Sequence, residues 1–224
     1  MCGRFILKAD PAELADFFSL TASLDAPQRF NIAPTQLVVA AAGDAEGRSW
    51  RSFRWGLIPA WAKDVKIGSR MINARSETVF DKPAFRSAMR RRRCLIPANG
   101  FYEWGQAGSG KQPYFICLKD GRLFAIAGIW EHWESPDGEV IESCAILTTE
   151  ANELMRSFHH RMPIIIDPEN FDLWLDPAVT DREPIESLLA PYPSERLTFY
   201  PVSRRVDNPR NDQPSLIEPA EEEG

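Results

Sequence analysis

Residues 114–130 read YFICLKDGRLFAIAGIW, and this stretch decides the fold class. Two apolar runs, Tyr114–Leu118 and Leu123–Trp130, lie on either side of the tetrapeptide KDGR. Short runs rich in aromatic and β-branched residues, separated by a turn with Asp-Gly at its centre, are typical of consecutive β-strands. The centre of the chain is therefore predicted to be β-structure.

The same type of pattern extends outward from this stretch. Leu37–Ala42 and Ser49–Trp55 lie on either side of a loop of Gly, Asp and Glu, which predicts a β-hairpin. Three further segments have strand-like patterns: Glu139–Leu147, Met162–Ile166 and Leu197–Val202.

Short helices are predicted between the strands. Asp10 is a suitable N-cap, Pro11 suits the first helical position, and Glu13 follows at the third, before an apolar stripe at helical spacing. Four more short helices are expected: Lys82–Arg90, Asn152–Phe158, one beginning at Asp167, and Pro184–Leu189.

Strands dominate this pattern, and the helices do not alternate with them regularly. This favours an α+β fold with mainly antiparallel sheets or a partly closed barrel, and with interspersed short helices. No internal repeat or linker divides the chain, so we expect a single domain over residues 1–206. Residues 207–224 are acidic and contain several prolines, and we expect them to form a loosely ordered tail.

Composition limits the class of protein. The chain has 224 residues, of which 44% are hydrophobic, enough for one sizeable core. No apolar run reaches the length of about 18 residues that a transmembrane helix needs, and we expect no membrane association. The N-terminus lacks the pattern of a signal peptide, and four cysteines without disulfide or zinc spacing favour a reducing compartment.

The charge balance gives two opposing indications. A net charge of −6 argues against a nucleic-acid-binding protein. However, the basic residues are 20 Arg and only 6 Lys, and Arg suits bidentate contacts to phosphate. Residues 86–93 read RSAMRRRR, which is either a DNA-contacting run or a solvated helix end.

Cys2 follows the initiator methionine directly. Cysteine is small enough to permit removal of Met1, which would leave Cys2 with a free α-amine beside its thiol. The amine, with a pKa of about 8, is partly neutral at pH 7 and can attack an aldehyde to form an imine. The thiol can then close a five-membered thiazolidine ring, which an internal cysteine cannot do. The same residue could serve as an N-terminal nucleophile in amide hydrolysis, or its position could be incidental.

Polar motifs occur between the apolar segments. The chain opens with CGRF at residues 2–5, and NARSE, FYEW and HHRMP follow at residues 73–77, 101–104 and 159–163. FNIAPT lies at residues 30–35, and WGLIP at residues 55–59. Taken in their order along the chain, over residues 2–205, these motifs resemble the SRAP family, the "SOS-response-associated peptidase" domain that crosslinks to abasic sites.

The resemblance implies a role for each matching residue. Cys2 matches the crosslinking nucleophile, and Asn73 matches the asparagine that positions its reacting group. Glu103 matches the active-site carboxylate, and His159 matches the catalytic histidine. The reaction also needs residues that exchange protons, whatever the resemblance implies. Imine formation needs a proton acceptor for the amine and a proton donor for the departing water, and a carboxylate and a histidine can share these roles.

Further matches imply a DNA-binding surface. Arg4, Arg75 and Arg161 match arginines that contact the DNA backbone. Trp61, Trp104 and Pro34 match residues that line the DNA channel or wedge between bases. Aromatic faces beside a basic groove are what single-stranded nucleic acid requires.

The expected function follows from the resemblance. The protein would sense abasic sites in single-stranded DNA and form a covalent thiazolidine crosslink through Cys2 after Met1 removal, shielding the lesion in the DNA damage response. Lyase activity and autoproteolytic removal of Met1 stay open. So do two alternatives: an N-terminal-nucleophile cysteine peptidase or amidase, and a non-catalytic module that binds single-stranded DNA.

The expected partner is single-stranded DNA containing abasic sites, and contact with replication-fork proteins is left open. No cofactor and no metal are expected, since the only histidines, His132, His159 and His160, lack zinc-site spacing. We expect a monomer in the cytoplasm, associated with the nucleoid when it is bound to DNA.

Overall fold

Strands make up most of the regular structure in the residues that the computed structural model describes, which are 2–20, 26–44, 47–107 and 110–220. The strands are β1 (Phe5–Leu7), β2 (Arg29–Ile32), β3 (Leu37–Asp44), β4 (Gly47–Trp55), β5 (Asn73–Arg75), β6 (Arg93–Ala98), β7 (Gly100–Ala107), β8 (Gly110–Leu118), β9 (Phe124–Glu134), β10 (Val140–Glu150), β11 (Arg161–Pro163), β12 (Ile165–Ile166) and β13 (Leu197–Pro201). The α-helices are α1 (Pro11–Phe18), α2 (Arg86–Arg91) and α3 (Phe171–Leu175). Short 3-10 helices cover Val65–Arg70, Met155–Ser157, Pro168–Asn170, Glu183–Leu189, Ser194–Arg196, Arg204–Asp207 and Pro214–Ile217.

Five strands of the larger sheet close on themselves. Strand β10 pairs with β9, β9 with β6, β6 with β3, β3 with β4, and β4 again with β10. The closing pair is parallel and short, matching Ser143 with Arg54 and Cys144 with Trp55, whereas the other four pairings are antiparallel. Strands β5, β11 and β12 add to this ring.

The second sheet has five strands in the order β13-β8-β7-β1-β2, and all of its pairings are antiparallel. One hydrophobic core joins it to the ring. The rings of Phe5 on β1 and Trp55 on β4 meet edge to face with their centroids 5.3 Å apart. The prediction of a single α+β domain with mainly antiparallel sheets and a partly closed barrel is confirmed.

The stretch that predicted the strands also connects the two sheets. Gly121 has a φ of 69° and donates to Leu118 O at 2.9 Å, so the Asp-Gly turn forms. The strands on its two sides do not pair with each other, because β8 pairs with β7 and β13 whereas β9 pairs with β6, β10 and β12. The chain therefore changes sheet at this turn. The predicted hairpin of β3 and β4 is confirmed, with pairing from Leu37–Arg54 to Asp44–Gly47.

Helix α1 forms as its capping residues predict. The Asp10 carboxylate accepts from Glu13 N at 2.9 Å, and Ser19 ends the helix in the left-handed conformation with a φ of 53°. The other predicted helices are shorter or are 3-10 turns. At residues 155–157 the side chain of Asn152 caps Met155 N at 2.9 Å and also donates to Tyr192 O at 2.6 Å, which fixes a single turn.

The arginines at the end of α2 differ in their exposure to solvent. Arg90 and Arg91 are exposed, whereas Arg93 is buried. The Arg93 guanidinium donates to main-chain carbonyls, among them Trp174 O at 2.6 Å and Val179 O at 2.9 Å. Burial lowers its pKa to about 10. Arg93 therefore joins α3 and the following loop to the barrel and is not available to a phosphate.

The segment after residue 206 is packed, in contrast to the loosely ordered tail that its composition predicts. The buried amide of Asn31 donates to the carbonyls of Val206, Asn208 and Asn211 at 3.1, 3.1 and 2.8 Å. Leu216 is fully buried. The Asn31 amide and the buried Leu216 thus hold this polar segment against the domain. Its local composition alone would be the same in a free tail. Residues 221–224 lie outside the described residues.

No helix in the described parts of the chain combines the length and the apolar character that crossing a membrane requires.

Candidate active site at Cys2

Cys2 lies just before β1, the strand between β2 and β7 in the smaller sheet. Its side chain is 0% exposed and belongs to the main hydrophobic core. Burial raises the pKa of the Cys2 thiol well above its ordinary value, and the nearby Glu103 carboxylate raises it further. The sulfur is therefore held as a neutral thiol.

Glu103 lies on β7, next to the strand that follows Cys2. Phe5 pairs with Phe101, and Tyr102 N donates to Arg4 O at 3.0 Å, so the antiparallel register brings residue 103 beside the first residues of the chain. The carboxyl group is buried, and desolvation raises its pKa. A carboxyl in this environment can stay protonated at a higher pH than an exposed one.

Asn73 holds the main chain of Cys2 directly. Its Nδ2 donates to Cys2 O at 3.0 Å. Asn73 lies on β5, which pairs in parallel with β10 of the ring, so this bond joins the start of the smaller sheet to the larger one. The Oδ1 atom of Asn73 is buried and has no hydrogen-bond partner among the described residues. It is a buried acceptor on the same amide group that holds Cys2 O.

His159 precedes β11 and is fixed by the turn around it. Its Nδ1 accepts from Arg161 N at 2.9 Å, and its ring stacks on His160 at a centroid distance of 4.2 Å. Burial, followed by the neighbouring positive groups, lowers the pKa of His159 to about 4. The imidazole is therefore neutral at pH 7, and because Nδ1 accepts, its proton is on Nε2.

Two of the three arginines expected to contact DNA are engaged inside the protein. Arg161 Nη1 and Nη2 pair with both carboxylate oxygens of Glu77 at 2.6 and 3.0 Å, and Nη2 also donates to Thr148 O at 2.6 Å. Arg4 donates to Asn31 Oδ1 at 2.9 Å and to Val206 O at 2.8 Å. These contacts position β11 and the C-terminal segment.

Arg75 is the exposed member of the three. It lines a cavity of about 390 Å³ together with Arg156 and His160. Arg156 did not stand out in the sequence, because it belongs to no motif and lies far from Arg75 along the chain. Its proximity to Arg75 arises only when β5 and β11 pair with the same strand, β10.

Comparison with known proteins identifies the family. The SRAP model, described as SOS response associated peptidase, matches residues 1–209. The chain belongs to the SRAP family. Abasic site processing protein YoqW of Bacillus subtilis is 43% identical over 222 residues, with 97% of this chain and 99% of the relative covered.

More distant relatives share the same domain. Abasic site processing protein HMCES of Gallus gallus is 36% identical over 203 residues, which cover 80% of this chain and 60% of that protein. A crystal structure of a Bacteroides thetaiotaomicron protein superposes with a TM-score of 0.87 at 27% identity, with 98% of this chain and 100% of that chain covered.

The aromatic residues of this SRAP protein differ in their accessibility. Trp61 is 60% exposed, in the loop after β4. Trp104 is half-buried beside Glu103, and its Nε1 donates to Asp207 Oδ1 at 2.7 Å. Pro34 is half-buried and precedes Thr35, which has a φ of 73°. Trp61 is thus the side chain of this set with a large free face, and Asp207 is a partner of Trp104 that the sequence did not indicate.

Proposed function

We propose that this protein processes abasic sites in single-stranded DNA by forming a covalent thiazolidine crosslink through Cys2 after removal of Met1. The observation that carries the proposal is the arrangement around Cys2, whose carbonyl is held by Asn73 and which precedes β1, the strand next to the one that carries the buried Glu103. Similarity to abasic site processing proteins supports the class of substrate.

Removal of Met1 is the first requirement. Met1 lies outside the described residues, and while it is present the nitrogen of Cys2 is an amide that cannot attack a carbonyl. Its removal leaves an α-amine at the position that the Asn73 hydrogen bond to Cys2 O already constrains. Since Asn73 Oδ1 is a buried acceptor close to this position, it can accept a hydrogen bond from the new amine.

The reaction balances without an external oxidant or reductant. The neutral amine adds to the C1′ aldehyde of the open sugar and gives a carbinolamine. A proton donated to its hydroxyl allows water to leave, which yields a protonated imine. The Cys2 sulfur then adds to the imine carbon as its proton passes to a base. The products are one thiazolidine and one water.

Glu103 is suited to both proton steps. Its raised pKa keeps a protonated fraction available to donate to the departing hydroxyl. The carboxylate that results can accept the thiol proton, which the raised pKa of Cys2 keeps on sulfur until the imine has formed. The same group can protonate the ring oxygen of the closed sugar and so favour the aldehyde.

His159 contributes as a neutral donor. With Nδ1 occupied by Arg161 N, the Nε2–H group can donate to the sugar oxygen that gains charge as the ring opens. Because its pKa is about 4, its protonation state does not change between pH 6 and 8.

The DNA strand is expected to contact exposed residues of the protein surface. Arg75 and Arg156 offer charge to phosphates, and Trp61 offers an aromatic face to a base. Such binding weakens as salt rises, because phosphate contacts release counterions.

The test is a denaturing gel. Protein without Met1, as verified by intact mass, is mixed with single-stranded DNA carrying one abasic site, without reductant, and is boiled. We expect a heat-stable shifted band that needs both the lesion and Cys2. The controls are undamaged DNA, a tetrahydrofuran analogue that cannot form an aldehyde, and the Cys2→Ala protein.

Two further results refine the mechanism. Cys2→Ser keeps the amine and should give an adduct only after borohydride reduction of the imine. A shortened labelled strand would reveal lyase activity. If processed wild-type protein gave no band, the crosslinking proposal would be abandoned for the hydrolase or pure-binding alternative.

A further inference from the structure

The ring of Phe158 lies over Gly105, the second residue after Glu103 on β7. A methyl group added at Gly105 would lie 3.1 Å from Phe158 Cδ1 and 3.1 Å from Tyr114 Cε2, closer than side chains normally pack. Gly105 does not have a positive φ, so space rather than backbone conformation requires a glycine here. The absent side chain is what lets Phe158 approach the strand.

Glu103 and Gly105 share one face of β7, since alternate residues of a strand point to the same side. Strand β8 confirms this face, because Tyr114 pairs with Glu103 and its ring also borders Gly105. The two positions lie about 7 Å apart along the strand. Phe158 therefore packs on the face of β7 that carries Glu103.

Phe158 is held by contacts from two other strands as well. Its ring centroid lies 4.9 Å from Tyr114 on β8 and 4.9 Å from Phe199 on β13. Its main-chain nitrogen donates to Met155 O at 2.9 Å. The Phe158 ring is thus packed against the smaller sheet, although residue 158 lies in the loop between β10 and β11 of the larger sheet.

His159 follows Phe158 directly and has little freedom of its own. Its main-chain nitrogen also donates to Met155 O at 2.9 Å, and its imidazole is held by Arg161 N and by stacking on His160. The main-chain nitrogens of Phe158 and His159 share the acceptor Met155 O, so a shift of the Phe158 main chain would also move His159.

We propose that Gly105 and Phe158 are a positioning pair, which seats His159 at the face of β7 that carries Glu103. Neither residue carries a group that can take part in the reaction. Their contact determines how the loop before β11, and with it the imidazole, is docked against the sheet that carries Cys2 and Glu103. The catalytic consequence rests on the role of His159 in the proposed crosslinking reaction.

The first test perturbs the contact by one methyl group. Gly105→Ala should displace Phe158 by a few tenths of an ångström and slow single-turnover adduct formation about tenfold, as small misplacements of a reacting group do. Affinity for DNA with the tetrahydrofuran analogue should be unchanged. Gly110→Ala is the matched control, because its methyl group on β8 would meet only the mobile end of Arg204, at 3.0 Å.

Double-mutant cycles distinguish a positioning role from general damage to the fold. In a His159→Ala background, Gly105→Ala should cause no further loss of rate. Combining Gly105→Ala with Phe158→Leu should recover much of the rate, since leucine leaves room for the methyl group. An equal additional loss in the His159→Ala background would overturn the proposal.

A measurement without DNA keeps this proposal separate from the proposed function. The chain has three histidines, so the ring signals of His159 can be assigned by NMR from the His159→Ala protein. Gly105→Ala and Phe158→Leu should each shift the His159 ring signals and leave those of His132 unchanged. Unshifted His159 signals in both folded variants would refute the positioning pair. If wild-type protein formed no adduct but the shifts appeared, only the proposed function would fail.

Discussion

Replacing Arg161 with methionine should destabilise the fold and leave the salt dependence of DNA binding unchanged. The sequence motif places Arg161 among DNA-contacting residues, whereas its side chain is 8% exposed and forms a two-point ion pair with Glu77. A guanidinium committed in this way cannot also neutralise a phosphate unless the pair opens.

The magnitude follows from the contacts that would be lost. Breaking a buried ion pair costs about 3–5 kcal/mol. The Glu77 side chain is 44% exposed, so water can solvate the carboxylate that remains. Thr148 O also loses the donor that lies 2.6 Å away. We expect a loss of about 2–3 kcal/mol, which lowers the Tm of a domain of this size by about 5–10 °C.

The assay combines urea denaturation with fluorescence anisotropy of labelled single-stranded DNA at several salt concentrations. Each phosphate contact contributes about 0.7 to the slope of log K against log salt for a single strand. Arg161→Met should keep the wild-type slope. Arg75→Ala, which removes an exposed arginine, should lower the slope by about 0.7 and keep the Tm. A lower slope with unchanged unfolding free energy in Arg161→Met would refute the structural role.

Three other substitutions test the site and its supports. Burial raises the pKa of Glu103, so ionising it opposes folding and stability should fall as pH rises above the ordinary carboxyl range. Glu103→Gln should therefore have a higher Tm than wild type at pH 8, the same Tm at pH 4, and slower crosslinking; a lower Tm at pH 8 would contradict this. Asn73→Leu removes the donor to Cys2 O and should slow crosslinking about tenfold in single-turnover assays, with unchanged affinity for undamaged DNA; equal loss of both would indicate a general structural role. Asn31→Ala removes the side-chain donor to three carbonyls of the C-terminal segment, of which Val206 O keeps Arg4 and Asn208 O keeps Asn211 N. The cost should be about 1–3 kcal/mol; trypsin should then cut faster after Arg210, and unchanged cleavage would show that this segment is held by other contacts.

Local patterns predicted the features that depend on neighbouring residues. The cap at Asp10 and the β3–β4 hairpin form as expected, because capping and tight turns are decided within a few residues. The possible chemistry of Cys2 was also readable from the sequence, since an aminothiol needs only a cysteine behind a removable methionine. The order of the motifs identified the family.

The tertiary structure decided which long-range partners each residue meets. Strands β8 and β9 flank a turn but belong to different sheets, because each has more extensive pairing elsewhere. Arg161 and Arg93 look like surface charges in the sequence, yet both are buried against acceptors that lie far away along the chain, and so is the C-terminal segment against Asn31. Local periodicity reports on the polarity of a residue, whereas burial of a charge depends on acceptors that only the folded chain brings to it.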